Sequence, residues 1–132
     1  MRENKFRIWD KVANKWLDYE EIYFDQEGEV YLIEERTWAY QSYMHKENRT
    51  ENVEVVRFTG LKDKNGKEIY EGDILKVTTV RGDTRWQMEV DFENGCFSLK
   101  EGPELWKLKY DYPNHEVIGN IYENPELLEE SK

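Results

Sequence analysis

A single cysteine, Cys96, three prolines and two histidines are spread over 132 residues, and no apolar run approaches the length of a membrane span. One cysteine excludes an intrachain disulfide and any zinc site assembled from several thiolates. With no long apolar run and no signal-peptide core after Met1, neither secretion nor membrane insertion is expected, which leaves a cytoplasmic location. A Gly-rich phosphate loop, a Ser-His-Asp arrangement and a dinucleotide fingerprint are all missing. A basic excess is missing as well. Residues 1–57 hold 9 basic and 13 acidic groups and residues 58–132 hold 10 and 16, so neither half is a basic module and the net charge is −10. Attraction to phosphate backbones is opposed over both halves. Solubility is the plainer explanation of the acidic excess.

What the chain does have is rings. Apolar residues make up 38% and charged residues 36%, a thin balance for a core, but aromatics reach 14%. Each ring carries a large area to bury, and disordered chains are poor in these types. The length suits one domain, or a small barrel with an N-terminal elaboration. Trp9, Trp16, Trp38, Trp86 and Trp106 cannot all be enclosed in so small a protein, so some are expected at the surface.

The pattern along the chain is mainly β. Phe6–Trp9 and Trp16–Tyr19 flank a polar turn at residues 10–15 and read as a first hairpin. Ile22–Phe24 and Val30–Ile33 flank the Gly-ended turn at residues 25–28 and read as a second. From Glu34 to Asn52 the alternation is lost. Tyr40, Tyr43 and Met44 stand at helical spacing without a clear cap, so this segment is expected to be a loop or a short helix. Val53–Phe58 restores a strand. Phe58–Leu75 (FTGLKDKNGKEIYEGDIL) then carries two tight turns, at Asn65-Gly66 and Gly72-Asp73. Ile74–Val80, Trp86–Phe92 and Cys96–Leu99 follow as three strands joined at residues 81–83 and 93–95, a meander of the kind that a small barrel requires. Pro103 is placed to open one helical turn carrying Leu105, Trp106 and Leu108. Glu116–Tyr122 reads as a last strand, and Asn124-Pro125-Glu126 as the N-cap, N1 residue and acidic first turn of a short terminal helix.

Candidate chemistry is sparse. Asp63, Asn65 and Gly66 resemble part of a calcium loop, but with Gly66 as the obligatory glycine at position 6, Leu61 and Gly72 occupy positions 1 and 12, where carboxylates are needed. A turn is the better reading. His45 and His115 lie far apart in irregular stretches and are expected at the surface, and Cys96 is expected as a small core residue with no base beside it in sequence. Glu68, Glu71 and Asp73 cluster around Tyr70 as an acid–base pair would. A hairpin rim looks the same, and the Asp73 side chain is suited to accept hydrogen bonds from turn amides. The remaining candidates concern binding. Small barrels stack single-stranded bases on exposed rings beside a basic groove. Lys62, Lys64 and Lys67 offer three cations on one turn, with Tyr70, Trp86 and Trp106 as ring candidates; a solvated charged turn is the simpler account of the lysines.

Several stretches together resemble the YopX family, small proteins carried by phages and prophages of bacteria. They are Lys5–Asp10 (KFRIWD), Thr59–Ile74 with its Asn65-Gly66 and Gly72-Asp73 turns, Asn94–Phe97 (NGCF), and Glu116–Leu128 (EVIGNIYENPELL). Order and spacing are kept over nearly the whole chain, except at residues 20–53 and 101–114. The resemblance implies an SH3-like, partly open β-barrel in the C-terminal half. It implies no catalytic residue, and it places the protein in the bacterial host cell.

The expected architecture is therefore a mainly-β, single YopX-like unit over residues 1–128. Residues 1–57 form a hairpin-rich segment packed on the barrel, and residues 58–128 form the barrel with a short terminal helix. The expected function is that of a non-enzymatic phage or prophage accessory protein acting through protein contacts: with itself as a homo-oligomer, or with a host or phage protein. No cofactor, metal or membrane is expected. Nucleic-acid association through the Lys62–Lys67 turn is the alternative, disfavoured by the net charge. An acidic decoy of a host nucleic-acid-binding protein is a further one.

Overall fold

The computed structural model describes residues 5–17, 22–78, 85–111 and 114–130. Eleven strands and two short helices occur among them: β1 Phe6–Asp10, β2 Lys15–Trp16, β3 Ile22–Phe24, β4 Val30–Trp38, β5 Gln41–Asn48, β6 Val53–Lys62, β7 Glu68–Tyr70, β8 Asp73–Thr78, β9 Arg85–Glu93, β10 Cys96–Leu99, α1 Leu105–Asp111, β11 Asn114–Asn120 and α2 Glu126–Glu130. The protein is mainly β, as its alternating pattern requires. The chain divides into two compact units, one of Arg7–Val55 and one of Met1–Phe6 with Val56–Lys132.

In the Arg7–Val55 unit, β1 and β2 pair antiparallel with Trp9 opposite Trp16, whose rings meet edge to face at 5.0 Å. Asp10 shapes the turn between them: its Oδ1 accepts from the N–H groups of Val12 and Ala13 at 2.9 and 3.1 Å. The expected return strand over Trp16–Tyr19 is seen only at its start, since Asp18 and Tyr19 lie outside the described residues. A three-stranded antiparallel sheet follows in the order β3-β4-β5. Among the described residues of this unit, Ile8, Trp9, Val30 and Val53 are the buried apolar ones. Asp10 is also buried, and its carboxylate meets Arg49 at 3.2 Å.

The largest correction to the sequence expectation lies here. Residues 34–48 are neither a loop nor a helix. Glu34–Trp38 and Gln41–Asn48 form the outer part of a continuous hairpin in which Glu35 faces Met44, Arg36 faces Tyr43 and Trp38 faces Gln41. Tyr43 and Met44, adjacent on a strand, point to opposite faces. Only residues 50–52 are helical, as one 3₁₀ turn.

The other unit is built on a four-stranded antiparallel sheet, ordered β10-β9-β8-β11 and curled as a half-barrel, together with the β6–β7 pair. β8 lies inside the sheet and buries Ile74, Leu75 and Val77. The core gathers Ile69, Leu75, Val77, Val90, Leu99 and Val117 with Leu105 and Leu108 of α1. Those two leucines stand one helical turn apart, which puts both on the face turned to the sheet. Gly72 turns the chain between β7 and β8 with φ +87°. A Cβ there would lie 3.0 Å from Cε2 of Tyr122, so both backbone and space demand glycine. Asp73 accepts from the Tyr70 N–H at 2.8 Å, the turn contact that its position implied.

Several boundaries differ from expectation for local reasons. β11 stops at Asn120 rather than Tyr122, because the Asn120 side-chain oxygen accepts from the N–H groups of Tyr122 and Glu123 at 3.0 and 2.8 Å and bends the chain. Pro103 does not open α1. Its carbonyl accepts from the Leu99 N–H at 3.0 Å, and the helix begins two residues later. α2 begins at Glu126, just after Pro125. The expected turn at residues 81–83 lies outside the described residues.

Candidate functional site

Two of the chemical candidates take positions opposite to those expected. Cys96 is exposed rather than in the core, because it begins β10 directly after the Asn94-Gly95 turn, and its thiol contacts the Glu93 carbonyl at 3.5 Å. His115 is buried rather than at the surface, because it lies inside β11 opposite Val77. His45 is half-buried on β5. Among the described residues no three His, Cys, Asp or Glu side chains gather as a metal site would need.

The acidic residues near Tyr70 are tied up separately. Glu68 meets Lys5 at 2.7 Å, Glu71 meets Arg57 at 3.5 Å, and Asp73 holds its turn. Asp63 is the organising residue of the β6–β7 turn. Its Oδ1 accepts from the N–H groups of Asn65 and Lys67, and its Oδ2 accepts from the N–H of Val117 on β11, all at 2.9 Å. Burial pushes its carboxyl up. The three backbone donors and the nearby His115 outweigh that, and the pKa lies below the ordinary 3.8. All of the carboxylate's turn contacts are to protein N–H groups, so the calcium-like pattern is a structural knot.

The binding candidates are distributed over several elements. Lys62, Lys64 and Lys67 share the β6–β7 turn and are all exposed, with Lys64 reaching Glu116 at 3.7 Å. Tyr70 on β7 is half-buried, its ring 5.4 Å from that of Phe58. Trp86 on β9 packs against the core cluster and, with Met88, Leu99 and Pro103, lines an apolar groove of about 200 Å³ edged by Glu101. Trp106 on α1 is 56% exposed; its indole N–H donates to Glu104, and Lys107 approaches its ring. The structure thus places the three lysines on one turn and the three rings on three different elements.

A more concentrated surface was not legible in the sequence. At the tip of the β4–β5 hairpin, Trp38 is 78% exposed, Met44 65% and Tyr43 48%, and Tyr40 is fully exposed. The two turn residues, Ala39 and Tyr40, have φ of 48° and 69°. Two-residue hairpin turns need this left-handed backbone, and Asn-Gly supplies it at least cost. Ala-Tyr supplies it against its own preference, at on the order of 1 kcal/mol or more per residue. A strained turn that holds a fully exposed ring is a feature without a core role. Farther down the same sheet the rings are engaged: Tyr23 on β3 and Tyr31 on β4 stack at 5.4 Å, with the Lys46 ammonium 4.2 Å from the Tyr31 ring. A hydrogen bond with Tyr23 and the two phenols raise the pKa of Lys46 above its ordinary value, against partial desolvation.

Fold and surface define a mainly-β protein that presents an aromatic-tipped hairpin. The pattern of the YopX protein family matches residues 5–129, and the chain belongs to that family. It is 28% identical, over 139 aligned positions, to the SPbeta prophage-derived uncharacterized protein YopX of Bacillus subtilis (strain 168); the match covers 94% of this chain and 95% of that protein. Two crystal structures are similar throughout. Protein EF1440 from Enterococcus faecalis superposes with a TM-score of 0.67 at 28% identity, over 97% of this chain and 99% of that one. Protein YopX from Bacillus subtilis superposes with a TM-score of 0.61 at 26% identity, over the same shares. Among the described residues no helix is long and apolar enough to cross a membrane.

Proposed function

We propose that this chain is a non-enzymatic interaction module of a prophage that associates with itself, in the cytoplasm of its bacterial host. The observation that carries the reading is the β4–β5 tip, where Tyr40 stands exposed on a strained turn and Trp38, Tyr43 and Met44 stand exposed on the strands beside it. Large aromatic and Met side chains are enriched where proteins meet and stay costly in water otherwise. The resemblance to prophage proteins supports the setting. The meander β8-β9-β10 with β11 and the β6–β7 pair supports an SH3-like, partly open barrel as the scaffold of the larger unit. Binding of single strands by the Lys62–Lys67 turn is the weaker reading, because Lys64 already has an acidic neighbour and the candidate rings sit on separate elements. Sedimentation velocity over a concentration series tests the proposal. A weight-average mass that rises toward a multiple of 16.1 kDa is expected; a single 16.1 kDa species at tens of micromolar sinks the self-association.

A further inference from the structure

Sheet edges are templates for pairing with another chain, and proteins normally shorten, cover, bulge or charge them. Most of the described edges here are managed. β2, β3 and β7 are two or three residues long. β11 carries a register shift between Val117 and Gly119. The turn after β6 also covers it, through the Val117 N–H on Asp63 and the His115 carbonyl on the Lys64 N–H. β10 is four residues long and is bridged by the returning chain, Ser98 to Glu104 and the Leu99 N–H to the Pro103 carbonyl. The outer part of β4, residues 33–38, extends beyond its pairing with β3 but carries Glu34, Glu35 and Arg36. β5 is eight residues long, unbulged in its pairing with β4 and without proline, and it lies at the edge of its sheet.

The register shows which backbone groups that edge offers. The Arg49 N–H donates to the Val30 carbonyl at 2.8 Å, which makes Val30 and Arg49 a hydrogen-bonded pair. Such pairs alternate along an antiparallel ladder. Glu47, His45, Tyr43 and Gln41 therefore turn their amides toward β4, and Ser42, Met44, Lys46 and Asn48 turn theirs outward. The two-residue turn after Trp38 gives the same phase.

We infer that β5 pairs antiparallel with β5 of a second copy of this chain, about a two-fold axis at Met44. This deepens, and rests on, the self-association proposed above. A two-fold axis perpendicular to a continuous sheet keeps each side chain on its own face, so residues of equal parity must oppose each other. With Met44 opposite the second copy's Met44, Ser42 meets Lys46, Tyr43 meets His45 and Gln41 meets Glu47. No like charges face each other, and about six backbone hydrogen bonds form between outward amides and carbonyls. The choice of a second copy rests on charge. The chain carries −10, whereas Gln41–Asn48 holds one Lys and one Glu and is neutral. Two identical acidic molecules can approach there without local repulsion. Met44 and Tyr43, exposed in the single chain, become covered.

The test separates this contact from self-association as such. Met44→Cys is placed in a Cys96→Ser background and oxidised mildly, with Ser42→Cys as the register control, since Ser42 faces the second copy's Lys46. In a separate full-length variant, Met44→Pro removes an outward N–H and leaves the β4 ladder intact. Expected are a disulfide dimer for Met44→Cys well in excess of that for Ser42→Cys, and a folded monomer for Met44→Pro under conditions where the unaltered chain associates. If the unaltered chain associates and neither variant behaves so, the β5 contact is overturned and self-association stands. A strictly monomeric unaltered chain, alone or holding a different protein at this edge, overturns both.

Discussion

Asp63 shows how one side chain can decide a local fold. Its two oxygens close the β6–β7 turn and fasten it to β11 through three backbone N–H donors. Hydrogen bonds to a charged acceptor contribute more than neutral ones, and orphaned buried donors cost about 1–3 kcal/mol. Asp63→Ala should lower stability by about 2–4 kcal/mol, read as a shift in the urea midpoint. The carboxyl has a pKa depressed below 3.8 in the folded chain, so its contribution is fully present above the unfolded value and is lost as pH falls through the folded one. The gap between the original chain and Asp63→Ala is therefore expected to be full at neutral pH and to close in acid below 3.8. A gap that stays constant into strong acid would show that the charge is not what stabilises the turn. This role was half-legible in the sequence: Asp63-Asn65-Gly66 announces a turn, but the contact to Val117, 54 residues on, does not show.

At the scale of elements, strands whose side chains alternate into a core were read closely, and the one hairpin that projects away from its core was missed. β8, β9 and β10 announce themselves because one or both faces are apolar and Asn94-Gly95 marks a turn. The outer β4–β5 hairpin has neither signal. Both of its faces are solvated, so apolar alternation has no work to do there, and its turn is Ala39-Tyr40. Replacing those two residues with Asn-Gly should relieve the left-handed strain and stabilise the hairpin by about 1 kcal/mol, seen as a higher melting temperature. The same change removes the Tyr40 ring. If the tip is an interaction surface, association should weaken while stability rises, a trade common at functional sites. Stronger association, or a lower melting temperature, would count against this account of the turn.

For the whole molecule the governing quantity is charge. Two copies at −10 each repel at long range, whatever contact joins them. Raising salt from about 0.05 M to about 0.5 M shortens the screening length to a few Å and should tighten self-association. A nucleic-acid complex would respond in the opposite way, loosening because releasing counterions into a saltier solution gains less entropy. Sedimentation at both salt concentrations therefore distinguishes the two readings by sign. Association that weakens with salt would point to attraction between oppositely charged patches, against the neutral β5 edge.

Local rules were enough to establish a mainly-β chain, most of its strands, the Gly72-Asp73 turn and the short terminal helix. Each of these depends on backbone preference and on neighbours a few residues away. Surface or core for Cys96 and His115, the three-donor cradle of Asp63, and the exposed hairpin tip depend on which strands lie side by side. The β5 edge shows the difference best. Its composition is unremarkable read in line, and it matters because the fold covers or shortens the other edge strands β2, β3, β7, β10 and β11 and leaves this one open. Whether a backbone amide faces a partner or water is settled by pairing between distant segments, which only the tertiary structure decides.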